Sequence, residues 1–223
     1  MVAITLMMVL TQIQQPQCLI LGRKLCKGNF FCLGQNAGYY PETVQREYNL
    51  GMEVGTHTYS HVVLTSLSAS ALDSEISKSV DAINKAIGVK PSLMRPPYGA
   101  VNKTVLSAVG GYNLCCMNWS LDTEDWKTKN ADATYNEVMK AQDGDVVLLH
   151  DIHEYNVDAV KRFVPDLIAE GFQLVTVPEL MKQEERHLRQ EQFITALILL
   201  HRQGQRQLRR LLQIPQRRVR QLQ

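Results

Sequence analysis

From Gly28 to Lys182 the chain alternates between short apolar runs and longer amphipathic stretches, and this alternation constrains the fold more than any other feature. The clearest amphipathic stretch covers residues 68–87. Leu72, Ile76, Val80, Ile83 and Ile87 recur there at helical spacing, and Gly88 supplies the stop. Residues 41–50 read as another helix, with Pro41 in its first turn and Gly51 closing it. Further helices are predicted over 102–109 (stopped by Gly110 and Gly111), over 133–142, and over 157–170, which contains Pro165; another opens at Pro178. Between them fall short apolar runs that read as strands: 2–5, 29–33 (closed by Gly34), 52–55, 92–94, 114–119, 145–149 and 173–176. Strands that alternate with crossover helices pair in parallel. Some seven units of this kind predict an α/β fold, a distorted (β/α) barrel.

The 223 residues suffice for one domain with a sizeable core. The net charge of +2 is unevenly spread: nine Arg and three Glu put +6 on residues 183–223 and leave −4 on the rest. Those last residues contain no Lys, Asp, Asn, Ser, Tyr, Cys, Met or Trp and are rich in Gln, Arg and Leu, which marks them as a tail outside the core. Basic charge with only Phe193 as an aromatic does not read as a nucleic-acid arm. The apolar run at 193–200 is too short to cross a bilayer. The five cysteines (Cys18, Cys26, Cys32, Cys115, Cys116) form no CxxC pattern, and the sequence does not pair them. Asn102 and Asn118 each open a glycosylation sequon. The first 27 residues lack the basic start and the small-residue cleavage site of a secretory signal.

In a βα barrel, working side chains gather at the C-terminal ends of the strands. Four polar clusters fall there. His57 and His61 follow the strand at 52–55; a pair at this spacing reaches one point from a helical turn, and imidazole is the commonest metal ligand. Arg95-Pro96-Pro97-Tyr98-Gly99 follows the strand at 92–94, Asp122 to Trp126 the strand at 114–119, and His150-Asp151-Ile152-His153 the strand at 145–149. Each cluster alone has an ordinary structural reading: a surface ion pair, a turn, a helix cap, a satisfied core histidine. All four in register with the strands predict a single pocket.

These clusters resemble the motifs of the polysaccharide deacetylases, the NodB-like carbohydrate esterases of family four. His57-Thr58-Tyr59-Ser60-His61 matches the family's HTxxH, Arg95 to Gly99 its RPPYG, Asp122 to Trp126 its DxxDW, and Leu148-Leu149-His150 its LxH. The resemblance covers residues 28–182. It implies an N-deacetylase acting on a polymer of N-acetylglucosamine, with chitin the first expectation because the 29–36 run and the sequons look like the fungal enzymes. It also implies one divalent metal, zinc, held by His57, His61 and an Asp. A carboxylate base would take a proton from metal-activated water, the Tyr98 N–H would hold the oxyanion, and His150 would protonate the departing amine. Asp125 would orient His150, Arg95 the base, and Trp126 and Leu148 would seat the acetyl methyl. Such proteins are secreted or sit in the cell wall, and a monomer is expected.

One motif is missing. The family's TFDDG carries the base and the third metal ligand, yet this chain has no Asp before Asp73. Val2-Ala3-Ile4-Thr5 looks like the usual lead-in, but Leu6-Met7-Met8-Val9-Leu10 follows. The codons TTT GAT GAT GGT CCT encode Phe-Asp-Asp-Gly-Pro; dropping one T gives TTG ATG ATG GTC CT, which encodes Leu-Met-Met-Val-Leu. Residues 1–27 therefore read as a disrupted start with a frame shift after Thr5, restored near Lys27, in the gene or in its description. Glu42, Glu47 and Glu53 are the only upstream carboxylates, and the first two fall on an exterior helix. The chain as written is expected to bind metal weakly and turn over little. The competing expectation is a non-catalytic, aminosugar-polymer-binding member of the same fold.

Overall fold

A computed structural model describes residues 1–8, 26–151 and 153–186, with Met7 and Met8 described by backbone alone. The chain divides into two compact units, Met1–Leu180 and Met181–Gln223. Of the second unit only residues 181–186, which are helical, are described. Most of the expected frame-shifted stretch, residues 9–25, and the tail from 187 onward lie outside the described residues.

Among its described residues the first unit has seven strands: β1 (Ala3–Met8), β2 (Asn29–Cys32), β3 (Glu53–Thr56), β4 (Leu93–Met94), β5 (Cys115–Cys116), β6 (Leu121–Asp122) and β7 (Val146–His150). They form one parallel sheet in the order β5-β4-β3-β2-β1-β7-β6. β5 and β6 are consecutive in sequence yet lie at opposite edges, so the curled sheet is a barrel with an open seam at residues 117–120. Among the described residues the helices include α1 (Gly34–Tyr39), α2 (Pro41–Asn49), α3 (Ala69–Ile87), α4 (Lys103–Gly111), α5 (Asp125–Thr128), α6 (Ala131–Val138) and α7 (Glu154–Ala169), and residues 177–180 are helical as well.

Strand alternation sorts the core. Val2, Ile4, Leu6, Phe30, Cys32, Val147 and Leu149 face the helices, whereas Ala3, Phe31, Leu93 and Leu148 belong to a separate inner cluster. α3 packs Leu72, Ile76, Val80 and Ile83 inward, each such side chain contributing about 2 kcal/mol by burial. Its ends follow the sequence: the Ser68 hydroxyl accepts from Ala71 N–H, and Gly88 closes it at φ 76°.

Several local expectations are corrected. The strand expected over 114–119 contracts to β5 and β6, because the Met117 and Asn118 carbonyls turn to the Arg95 guanidinium instead of a neighbouring strand. The strand expected at 173–176 reduces to isolated bridges of Leu174 with Val2 and Cys26. α4 runs through Gly110 and Gly111. α6 starts earlier, where the Asn130 side chain caps it. α7 starts at Glu154 and keeps Pro165 inside, where the helix forgoes one N–H bond. α1 was not expected: Gly34 begins a helix rather than merely closing a strand. A Cβ at Gly34 would lie 2.6 Å from the Ser79 Cα, so glycine permits the close approach of α1 to α3.

Candidate active site

The four clusters converge above the C-terminal ends of the strands. A cavity of about 410 Å³ is lined by both histidines of the first cluster, by Pro96 and Tyr98, by Trp119, Asp122 and Trp126, and by Leu148 and His150. Arg95 and Asp125 stand behind this wall, fully buried.

The His57–His61 pair does not sit on a helical turn. Residues 57–63 form a loop in which Thr58 (φ 70°) and His61 (φ 63°) are left-handed, and the loop brings the ring centroids to 4.9 Å. Three elements hold it. His57 N–H donates to the Cys32 carbonyl (2.8 Å), and the N–H groups of Gly34 and Gln35 donate to the carbonyls of Thr58 and Tyr59. On α3 the Glu75 carboxylate accepts from the N–H groups of Tyr59 (3.1 Å) and Ser60 (2.9 Å) and from the Ser60 hydroxyl (2.8 Å). Sequence reasoning missed Glu75, since an acid on an exposed-looking helix turn carries no distinguishing signal.

The Arg95 carbonyl lies 2.6 Å from His57 Nδ1. A carbonyl only accepts, so the ring proton is on Nδ1 and the Nε2 lone pair is left for another partner. Burial pulls the His57 pKa down to about 3, and desolvation also lowers that of His61. Both imidazoles are therefore neutral at pH 7, the state a metal ligand needs.

The Arg95 side chain crosses the barrel interior. It donates to the Thr5 hydroxyl (2.7 Å) and to the carbonyls of Met117 (3.3 Å) and Asn118 (2.8 Å), and stacks 4.4 Å from the Phe31 ring. Burial lowers its pKa to about 9, so it stays charged at neutral pH. Tyr98 adopts φ 60°, ψ 12° in the Pro97–Gly99 turn, a strained conformation for a residue with a side chain. Its ring is 71% exposed at the rim and meets the edge of His61 at 5.2 Å. Gly99, at φ 65°, lies so close to Trp119 that a Cβ would sit 3.1 Å from the indole. Trp119, a second aromatic wall, was not among the sequence candidates.

Across the cavity, His150 Nδ1 lies 2.9 Å from Asp125 Oδ1, and His150 N–H donates to Oδ2 (2.7 Å). The buried carboxylate places the ring proton on Nδ1, leaving Nε2 as the nitrogen free of that bond. Trp126, beside Asp125 on α5, is 52% exposed, and Leu148 is buried.

The sequence from Leu10 to Cys115 matches the family model for polysaccharide deacetylase. A peptidoglycan-N-acetylglucosamine deacetylase of Bacillus cereus is 32% identical over 174 residues, covering 75% of this chain and 81% of that protein. The chain belongs to the polysaccharide deacetylase family. The peptidoglycan-N-acetylmuramic acid deacetylase PdaC of Bacillus subtilis is 40% identical over 152 residues, 68% of this chain. The chain spans about a third of the length of PdaC and of the Listeria monocytogenes deacetylase PgdA. The solved structure of PdaC superposes with a TM-score of 0.80 at 35% identity, covering 85% of this chain and 94% of that one. A family-four pseudoenzyme from Bacillus anthracis shares the fold, with a TM-score of 0.76 at 24% identity over 81% of this chain and 64% of its own.

Against a three-ligand metal centre the described residues are incomplete. Two neutral imidazoles converge, but among the described residues no group of three His, Cys, Asp or Glu side chains could hold a metal ion. A catalytic zinc takes three protein ligands, so the described residues do not fit it. The backbone register shows where the deficit lies. Met7 pairs with His150 and Met8 with Cys32, at the end of the central strand β1 and alongside the pocket's own strands. Of the upstream carboxylates, Glu47 is buried on α2. Glu53 starts β3, at the far end of the strand from His57, and accepts from Ser92 Oγ at 2.8 Å.

Proposed function

We propose that this domain recognises an N-acetylated aminosugar polymer in the 410 Å³ cavity and, with the sequence as it stands, binds it without appreciable hydrolysis. The observation carrying this is that two neutral histidines and a carboxylate-held histidine line one cavity, walled by Trp119, Trp126 and Leu148, while the end of β1 bears no carboxylate. Trp126 and Tyr98 expose aromatic faces suited to sugar rings, and the buried Leu148 suits an acetyl methyl. Doubly protonated, with its Nδ1–H held by Asp125, His150 would be placed to hand its Nε2 proton to a departing amine and be left as the Nδ1–H neutral ring. The left-handed turn at Tyr98 supplies the backbone N–H for a developing oxyanion. No group at β1 takes a proton from the attacking water, and that half of the reaction is lost.

The Bacillus cereus, Bacillus subtilis and Listeria monocytogenes relatives are named as peptidoglycan deacetylases, so peptidoglycan aminosugars stand ahead of chitin as the ligand; a place outside the cell or in its wall goes with that polymer. The test is calorimetric titration with tetra-N-acetylchitotetraose and with muropeptides. Binding is expected, weakened about tenfold by Trp126→Ala, the scale of one lost stacking contact near 1.4 kcal/mol. Failure to bind either ligand overturns the reading.

The β1 register favours a second reading: a gene that encodes Asp at positions 7 and 8 would put two carboxylates at the end of the central strand, position 7 level with His150 and position 8 level with Cys32. Such a chain would be a zinc-dependent deacetylase. Sequencing the transcript across codons 4–28 decides this; an unambiguous Leu-Met-Met-Val-Leu sinks it.

A further inference from the structure

We propose that Asn156 is a positioning residue that clamps the His150–Asp125 pair; the proposal rests on the reading of that pair as the proton donor. Asn156 lies in the first turn of α7 and is fully buried. Its Nδ2 donates to Asp125 Oδ2 (2.5 Å) and to the His150 carbonyl. Its Oδ1 faces the Thr134 hydroxyl on α6 (3.3 Å), whose one proton is shared with the Asn130 carbonyl (3.0 Å). The amide orientation follows from these partners. The flipped form would set Oδ1 against a carboxylate and a carbonyl, neither of which can donate.

The clamp divides the Asp125 carboxylate into two jobs. Oδ2 is pinned by two donors, His150 N–H and Asn156 Nδ2, which fixes the carboxylate plane. Oδ1 is thereby aimed at His150 Nδ1. The second Asn156 bond, to the His150 carbonyl, fixes the end of β7 from which the imidazole projects. Without Asn156 the carboxylate keeps only the His150 backbone anchor on Oδ2 and can turn about its Cβ–Cγ bond. The imidazole then loses the acceptor that enforces the Nδ1–H tautomer. A neutral amide is suited to this place, since a second carboxylate 2.5 Å away would have to share a proton with Asp125. The α7 stripe shows the anomaly directly: Asn156 occupies a buried face whose other members include Val160, Phe163, Val164 and Leu167. Burying an amide among them costs stability unless its bonds are made, and here they are made to the Asp125–His150 pair and to Thr134.

The test is NMR of the full chain labelled with ¹⁵N-histidine, at a mildly alkaline pH where the ring carries one proton, with chelator and without sugar, His150 being assigned by His150→Gln. The wild type is expected to show a single Nδ1–H tautomer with a slowly exchanging ring proton. Asn156→Ala is expected to mix the tautomers and speed that exchange by about tenfold, the scale of losing a hydrogen bond to a charged group. Val160→Ala, on the same buried stripe, loses packing alone and should leave the His150 signal unchanged. If Asn156→Ala does not fold, Asn156→Thr is read in its place: one hydroxyl donor cannot serve both acceptors, so exchange should still rise. An unchanged His150 signal in the folded Asn156 variant, or an equal change in Val160→Ala, overturns the proposal. Because the signal is read without ligand, failure of aminosugar binding would sink the functional reading and leave the clamp standing.

Discussion

Arg95→Lys keeps the charge and removes the guanidinium's geometry, which makes its sign unambiguous. Among the acceptors in the described residues, the Arg95 side chain donates to Thr5 Oγ1 on β1 and to the seam carbonyls of Met117 and Asn118. Thr5 can lose this bond cheaply, because its hydroxyl still donates to the Val147 carbonyl (2.5 Å). The two seam carbonyls are only part-buried, so each lost donor costs about 1 kcal/mol, the low end for an unsatisfied group. A lysine ammonium cannot stack on Phe31 as the planar guanidinium does, which costs about another 0.5–1 kcal/mol. The ammonium is also the more strongly hydrated ion, so burying it brings no compensating relief. The sum is a loss of about 2–3 kcal/mol, which lowers the melting temperature by roughly 5–10 °C for a chain of this size. Urea denaturation of both proteins reads the difference directly. A change under about 0.5 kcal/mol, the scatter of ordinary surface substitutions, would refute the view that Arg95 closes the barrel seam.

Three further outcomes are expected. Gly34→Ala forces a Cβ against the Ser79 backbone and should cost about 1–3 kcal/mol in urea melts; a neutral result would mean that α1 and α3 separate freely. Glu75→Ala removes the acceptor of two loop amides, so hydrogen exchange at Tyr59 and Ser60 should quicken by about tenfold, and unchanged protection would remove Glu75 from the account. In metal-free protein the folded state holds His57 neutral down to about pH 3, whereas the unfolded chain takes up a proton below the ordinary histidine value of 6.5. Stability present above pH 6.5 is therefore lost as the pH falls toward 3, by about 2 kcal/mol between pH 7 and pH 5. His57→Asn should flatten that slope, and an identical slope in both proteins would contradict the burial of His57.

The fold was legible where periodicity was long. α3 and α2 fell within a residue or two of their expected bounds because the apolar stripe and the capping residues agree. The two-residue strands β4, β5 and β6 were blurred, because so short a strand has no period to read. The residues expected to gather did gather: six of them line one cavity and the other two, Arg95 and Asp125, stand behind it. The path to that arrangement was less visible. A His pair at helical spacing is instead presented by a loop with two left-handed residues, a conformation that threonine and histidine do not announce. Arg95 does two things from one position, its carbonyl holding His57 and its guanidinium holding the seam, and only the first belongs to the pocket. The supporting residues Glu75, Thr5, Trp119 and Asn156 were missed, because their roles depend on partners 6 to 90 positions away. Of these only Asn156 carried a signal, as a polar residue on an apolar stripe.

Acetate release tests the central claim most directly: that this pocket retains recognition and proton donation but lacks the half that activates water. Wild type and the Met7→Asp/Met8→Asp variant would be incubated with zinc and either an N-acetylglucosamine oligomer or peptidoglycan fragments. The account predicts no acetate above background from the wild type, despite binding, and measurable acetate from the double variant. Acetate from the wild type, or a double variant that takes up zinc yet releases none, would contradict it.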